Sequence, residues 1–314
     1  MSHLKIALID PLSLRGRQAV ELLPHFVGLG ERFLYFNTSP DEDHEVANIG
    51  GSPALVHPLD VEGELKECGA VLVASDRTTE KTDGLVKYLR EHPDVDIVDM
   101  SRVDELRALG VPADAPDPAA GSPSRLRVPH PSLIAAVNVL RPLDDLGPVR
   151  LVVNAIEPAS ELGADAVSTL ARQATARLSG QPPGERIEDE ILAFSCVSLP
   201  SGELLEDARL LLPDLQVTAT LSIAGWFHGH LTTLGITFDR SIAEHELRDR
   251  WSSHPRLTMV GDPLRLDTVT DRQTVFMATP QLSSDHRTVA VTTMVDGLVL
   301  GGALTALELL RGLT

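Results

Sequence analysis

A few side chains in this sequence have the types and spacing to do chemistry. His228 and His230 stand two apart, so a strand running through both would point them to one face, the start of a two-ligand metal site. No third ligand can be named from the sequence, so no metal is assigned. His230 alone serves either as a general base or as a hydrogen-bonded structural residue. Ser132 stands in Val128-Pro129-His130-Pro131-Ser132-Leu133, ahead of Leu133, Ala136, Val137 and Leu140 at helical spacing and of Pro142 as the stop. It reads as the N-cap of that helix, and its hydroxyl becomes a nucleophile if a base lies in reach. Cys68 and Cys196 are far apart and form no CxxC, which excludes a disulfide framework and a structural zinc site. Both are expected to be buried as small hydrophobes, Cys196 with a raised pKa among Phe194 and Val197. The acidic run Glu185-Arg186-Ile187-Glu188-Asp189-Glu190 reads as a solvated face.

The first half alternates strands and helices. Lys5–Asp10, Phe33–Phe36, Ala70–Ala74 and Asp94–Asp99 read as strands, with a helix from Ser13 burying Ala19, Val20, Leu22 and Leu23 and another around Glu80 to Glu91. That rhythm predicts a Rossmann-like parallel sheet in an α/β domain. A dinucleotide site on such a sheet needs glycines in its first turn, where backbone N–H groups meet the pyrophosphate. Read against G-x-x-G-x-x-G, Asp10-Pro11-Leu12-Ser13-Leu14-Arg15-Gly16 keeps only the last glycine. Ser13 and Gly16 are vestigial cofactor-binding positions. The second strand ends Phe36-Asn37-Thr38, without an acid for a ribose hydroxyl. Arg15 and Arg17 either touch a phosphate in another geometry or are solvated. The expectation is no cofactor, or NADP if the site survives.

From Val111 to Val128 the chain reads as a loop joining two domains, because Pro112, Pro116, Pro118 and Pro123 with Gly121 and Ser122 oppose regular structure. Beyond it come a strand at Val149–Ile156 and a helix with Val167, Leu170, Ala174 and Leu178 on one face, ending before Gly180. Long strands follow at Leu215–Phe227, His230–Phe238 and Arg287–Val295. This half is an α+β domain with a mostly antiparallel sheet. Leu304, Leu307 and Leu310 mark a closing helix that returns to the first domain. The expected domains are 1–128, completed by 302–314, and 129–301.

A formal charge of −18 over 314 residues excludes nucleic acid and anionic membrane as partners, since both need a basic footprint. No apolar run reaches the roughly 20 residues of a membrane span, and no signal-peptide profile opens the chain, so a cytoplasmic protein is expected. The lysines are Lys5, Lys66, Lys81 and Lys87, which removes lysine chemistry from everything after Lys87.

The order of these segments resembles the aspartate-semialdehyde dehydrogenases over most of the chain, in the runs Pro129–Leu143, Leu151–Gly180, Leu192–Phe194, Val217–His230 and Asp296–Leu304. It is similar above all to their catalytically depleted, Usg-type branch. The resemblance implies a dimerisation domain in the second half. It also implies an Asn-Pro-Asn-Cys-Ser/Thr turn whose thiolate attacks an aldehyde. Here Pro131 takes the nucleophile's place and His130 that of the preceding asparagine; Glu157 replaces a glutamine and Ile223 a substrate-binding arginine. Asp296-Gly297-Leu298-Val299-Leu300-Gly301 stands where the family has Asp-Asn-Leu-Arg-Lys-Gly. Only His230, after Gly229, keeps the place of the general acid/base. Loss of a covalent nucleophile leaves only the residual rate of binding and orientation. The expectation is therefore a cytoplasmic pseudoenzyme acting as a homodimeric scaffold that engages another protein. The alternatives are an oxidoreductase or hydrolase rebuilt around His230, Glu157 and Ser132, and a metabolite sensor without turnover.

Overall fold

The computed structural model describes residues 5–39, 45–49, 51–101, 103–113 and 124–313. The chain divides into two compact units, Met1–Val128 with Gly302–Thr314, and Pro129–Gly301.

The first unit is built on strands β1 (Lys5–Ile9), β2 (Phe33–Asn37), β3 (Glu45–Ile49), β4 (Ser52–Pro58), β5 (Cys68–Val73), β6 (Asp96–Asp99), β7 (Val111–Pro112) and β8 (Arg125–Arg127). They lie in the order β3-β4-β2-β1-β5-β6-β8-β7, and every pair is parallel except β3 with β4. Ile6 to Ile9 and Ala70 to Val73 are fully buried, because central parallel strands are covered on both faces and must be apolar throughout. Helix α1 (Leu14–Leu22) buries Ala19, Val20 and Leu22. Helix α2 (Glu80–Glu91) starts at a Thr79/Thr82 capping box and buries Leu85, Val86 and Leu89. A short α3 (Asp104–Arg107) follows. The C-terminal helix Thr305–Leu313 buries Ala306, Leu307 and Leu310 and packs beside β6.

One expectation fails here. Part of the stretch read as a loop, Val111 to Val128, is strand: β7 and β8 extend the sheet, and Pro112 sits on the edge strand, where its missing N–H takes no ladder bond away. Pro116, Pro118, Gly121, Ser122 and Pro123 lie outside the described residues.

The second unit opens with α4 (Pro131–Leu140), β9 (Pro148–Glu157), α5 (Ala164–Leu178), β10 (Cys196–Leu199), α6 (Gly202–Leu211), β11 (Gln216–Ala224) and β12 (His230–Phe238). It continues through α7 (Glu244–Ser252), β13 (Leu257–Met259), α8 (Leu266–Val269), β14 (Val275–Met277), β15 (Gln281–Leu282) and β16 (Thr288–Val295). Its sheet runs β10-β11-β9-β12-β16-β14-β13, with β15 also on β16. Only β9 with β11 and β13 with β14 pair in parallel. One face buries Leu151, Val153 and Ala155 of β9, Leu234 and Ile236 of β12, and Val289 and Val291 of β16. Helix α4 packs on these strands and is buried on nearly every side, and the Trp251 indole of α7 donates to the Val139 carbonyl at 2.9 Å. The opposite face leaves Val152 and Asn154 of β9 and Gln216 and Thr218 of β11 exposed.

Helix α5 turns a different side inward than its leucines suggest. Leu178 is 78% exposed, and the buried arc is Ala166, Thr169, Leu170 and Gln173. Gln173 decides this orientation. Its amide donates to the carbonyls of Glu185 and Glu190 and accepts from the N–H groups of Leu192 and Ala193, so one buried side chain satisfies the backbone of the whole neighbouring loop.

Candidate functional site

In the second unit the chain brings four ionisable side chains together from four elements. Glu157 closes β9 with the same inward parity as Leu151, Val153 and Ala155. His230 opens β12 with the inward parity of Thr232, Leu234 and Ile236. Because β9 lies between β11 and β12, the connection from Ala224 to His230 must cross the end of β9. There the Trp226 and Phe227 carbonyls accept from the N–H groups of Ala159 and Ser160. This ties down the turn Ala159–Leu162, which delivers Glu161.

The fourth group is His130, and it corrects the expected start of α4. Ser132 is not the N-cap: His130 is, with Pro131 in the first turn, and the His130 Nδ1 accepts from the Ser132 N–H at 3.1 Å. Proline is suited to the first helical position because its lost N–H has no partner there anyway. Ser132 is instead fully buried inside the first turn, and its hydroxyl has no hydrogen-bond partner among the described residues.

The geometry is that of two histidine–carboxylate pairs. His130 Nε2 lies 3.1 Å from Glu157 Oε2, and His230 Nε2 lies 3.2 Å from Glu161 Oε2. The two rings meet edge to face, centroids 5.4 Å apart. All four side chains are 6% exposed or less. With Nδ1 turned to the Ser132 N–H, the His130 ring presents Nε2 to Glu157.

The turn after β16 presses on this group. Asp296 is buried and its Oδ1 accepts from the N–H groups of Leu298 and Val299, while Oδ2 accepts from that of Asp271. The turn so held lays Gly297 on His230: a Cβ there would stand 2.3 Å from the ring. Gly301 lies equally close to Pro131, where a Cβ would fall 2.6 Å from the proline's own. Pro131, in the nucleophile's place, is thus packed from above. Ile223, in the arginine's place, belongs to an apolar cluster with Ala159, Leu170, Leu192 and Ala193.

Two further expectations are corrected. No strand runs through His228 and His230, because Gly229 at φ +86° breaks the alternation between them; His228 stays outside the group. Cys196 is exposed, since β10 is an edge strand with alternate residues turned out. Cys68 is buried as expected, and burial pushes its thiol up to about 11. Glu161 in this group and Gln173 as a brace are residues that the sequence does not single out, and Asp296 is one to which it assigns no role.

The first unit carries the other candidate, the crevice at the carboxyl ends of β1, β2 and β5 where this type of sheet binds ligands. Asp10 fills it. At φ +58° its carboxylate accepts from the N–H and hydroxyl of Thr38, at 2.7 and 2.8 Å, and from the Ser75 hydroxyl, so it ties together the three strand ends. Ser13 caps α1 by accepting from the Gly16 N–H at 2.9 Å and donates to the Ala74 carbonyl. Gly16 lets helix and strand approach: a Cβ would fall 2.2 Å from the Asp10 carbonyl oxygen. Arg15, expected either on a phosphate or in solvent, is buried with Asp76 3.6 Å away; Arg17 is exposed.

No family model matches the sequence. Over 153 residues the chain is 30% identical to a USG-1 protein homolog from Azotobacter vinelandii, a match covering 44% of this chain and 46% of that one. The match thus spans about half the length of that curated relative. Among solved structures, the aspartate semialdehyde dehydrogenase II of Vibrio cholerae complexed with ASA superposes with a TM-score of 0.82 at 15% identity, covering 98% of this chain and 97% of that one. A probable aspartate-semialdehyde dehydrogenase from Pseudomonas aeruginosa gives 0.82 at 18% identity, covering 98% of each chain. The Candida albicans enzyme with NADP gives 0.66 at 14% identity, covering 99% of each. The chain has the fold of the aspartate-semialdehyde dehydrogenases, as the resemblance implied, and its sequence is similar to the Usg-type relative.

Proposed function

We propose that this chain is a pseudoenzyme of the aspartate-semialdehyde dehydrogenase fold, working as a homodimeric scaffold that engages another protein. The observation that carries the reading is Pro131. It occupies the nucleophile's place in the first turn of α4, offers no reactive atom, and is covered by the backbone of Gly301. Acyl transfer through a thioester needs a thiolate at that point, and no cysteine stands beside it among the described residues. The Ser132 hydroxyl is not hydrogen-bonded to a base, and Glu157 and His230 are paired with His130 and Glu161 instead. This speaks against the rebuilt enzyme centred on His230, Glu157 and Ser132.

The Asp10 carboxylate supports the absence of a bound dinucleotide, because it sets a negative charge where a pyrophosphate would need N–H donors. The open face of the second sheet supports the dimer. Val152 and Asn154 on β9 and Thr218 and Thr220 on β11 are exposed there, with Arg150 at the margin, a surface that a second copy can cover. No helix among the described residues is long and apolar enough to cross a membrane.

The test mixes purified chain with NADP, phosphate and aspartate semialdehyde and follows absorbance at the nicotinamide band. The expected result is no change above the protein-free control, together with a dimer by light scattering. Cofactor reduction that depends on the protein would overturn the proposal.

A further inference from the structure

The paired histidines and carboxylates of the second unit have a donor set that neither the scaffold reading nor the lost dehydrogenase chemistry uses. His130, Glu161 and His230 each offer a ligand atom, and these atoms all lie within 4.8 Å of one another. We infer that these three residues hold a divalent transition-metal ion of the zinc class, with Glu157 orienting His130 from behind.

The donor chemistry selects the metal. Two imidazole nitrogens with one carboxylate oxygen suit zinc or ferrous iron, whereas magnesium and calcium take oxygen shells. The charge balance points the same way. Glu157 and Glu161 are both buried beside the two imidazole rings. A divalent cation held there sets positive charge against these buried carboxylates.

The framework is also firm. The ligands stand at the N-terminus of one helix, the start of one strand and a turn pinned by Trp226 and Phe227, and Gly297 fixes the His230 ring from the other side. A carboxylate behind a ligating histidine is the usual outer partner of such a site. Recruiting His130 asks its ring to release one of two observed hydrogen bonds, to Ser132 or to Glu157, so Glu161 and His230 are the stronger ligands. In so closed a place the ion's work is structural: it fastens α4 to the end of β9 and the start of β12. The inference does not depend on the pseudoenzyme proposal, because a structural ion would be held whether or not the chain turns over a substrate.

The experiment uses the full chain stripped with a chelator and titrates Zn2+ against a chromophoric competitor, beside Mg2+ as a control. The expected result is one Zn2+ per chain, no competition from Mg2+, and binding at least about tenfold weaker in Glu161→Gln and in His230→Gln. Cys196→Ser should bind like the parent chain, which separates this site from the exposed thiol. Circular dichroism and tryptophan fluorescence check that the variants fold. If His230→Gln does not fold, Co2+ added to the parent chain decides: visible bands of a low-symmetry nitrogen–oxygen site, lost in Glu161→Gln, support the inference. Weak or fractional Zn2+ binding that survives Glu161→Gln, a surface ion only, overturns it, as does no binding at all.

Discussion

The crevice around Asp10 and the group around His230 stand in different units, and each holds other residues than the dehydrogenase resemblance implies, but they fill their places in different ways. In the first unit one carboxylate is surrounded by neutral donors, the Thr38 N–H and the hydroxyls of Thr38 and Ser75. Each of its two oxygens accepts at least one bond, and the place is closed by ordinary hydrogen bonding. In the second unit four ionisable groups face one another, with Gly297 laid on His230 and Gly301 on Pro131. A buried carboxylate among hydroxyls is a finished structural device, whereas two buried histidine–carboxylate pairs keep the capacity to hold protons or a cation. The two places show that one fold can close a crevice with neutral donors and gather ionisable groups elsewhere.

The contrast can be broken most forcefully at the two glycines. Gly16→Ala drives a Cβ into backbone atoms, the Asp10 carbonyl oxygen at 2.2 Å and Pro11 at 2.8 Å, none of which can swing aside. A loss of about 3 kcal/mol or more in urea unfolding is expected. Gly297→Ala meets the His230 ring instead, which can move only by parting from Glu161. About 2 kcal/mol is expected, visible in tryptophan fluorescence because Trp226 and Trp251 both lie in the second unit. A Gly297→Ala chain as stable as the parent would mean that the His230 pair gives way freely and is no device at all.

Between these two lies Asp10→Ala. It leaves the Thr38 N–H and two hydroxyls without their acceptor and puts alanine at a positive φ. Together these cost about 2–3 kcal/mol. Asp10→Asn keeps an acceptor and tolerates the backbone, so it should cost less than half as much, near 1 kcal/mol by the same circular-dichroism measurement. Equal losses for the two variants would show that charge, not donor number, closes the crevice.

How far this was legible in the sequence follows from periodicity. The helix capped by Ser13, the α2 limits at Glu80 and Glu91, and the long strands β9, β12 and β16 all carry a clean apolar period, and they fall within a residue or two of expectation. The inward parity of Glu157 and His230 was equally readable, since each continues an alternating buried row. Glu161 was not, because a single tight turn has no period and its position depends on backbone bonds to Trp226 and Phe227, far along the chain. Gln173 was hidden for a related reason: a polar residue reads as outward until the loop it satisfies is seen beside it. Cys196 misled because its apolar neighbours suggest a core, whereas an edge strand turns alternate residues out.

The smallest expected effect sharpens the comparison most. Ser132 was read as a cap, and a cap would lose about 1 kcal/mol on truncation. The structure gives that duty to His130 and leaves the Ser132 hydroxyl buried with no partner among the described residues. A buried hydroxyl without a hydrogen bond is a liability, and replacing it by a methyl of nearly the same shape removes a desolvation cost. Ser132→Ala should therefore be neutral or stabilising by up to about 1 kcal/mol in urea unfolding. The sign alone separates the accounts: destabilisation would return Ser132 to the cap, or to a bond with a base that makes it a nucleophile. A gain would place it beside Pro131 as a residue kept for its volume, inside a first turn whose only working side chain is His130.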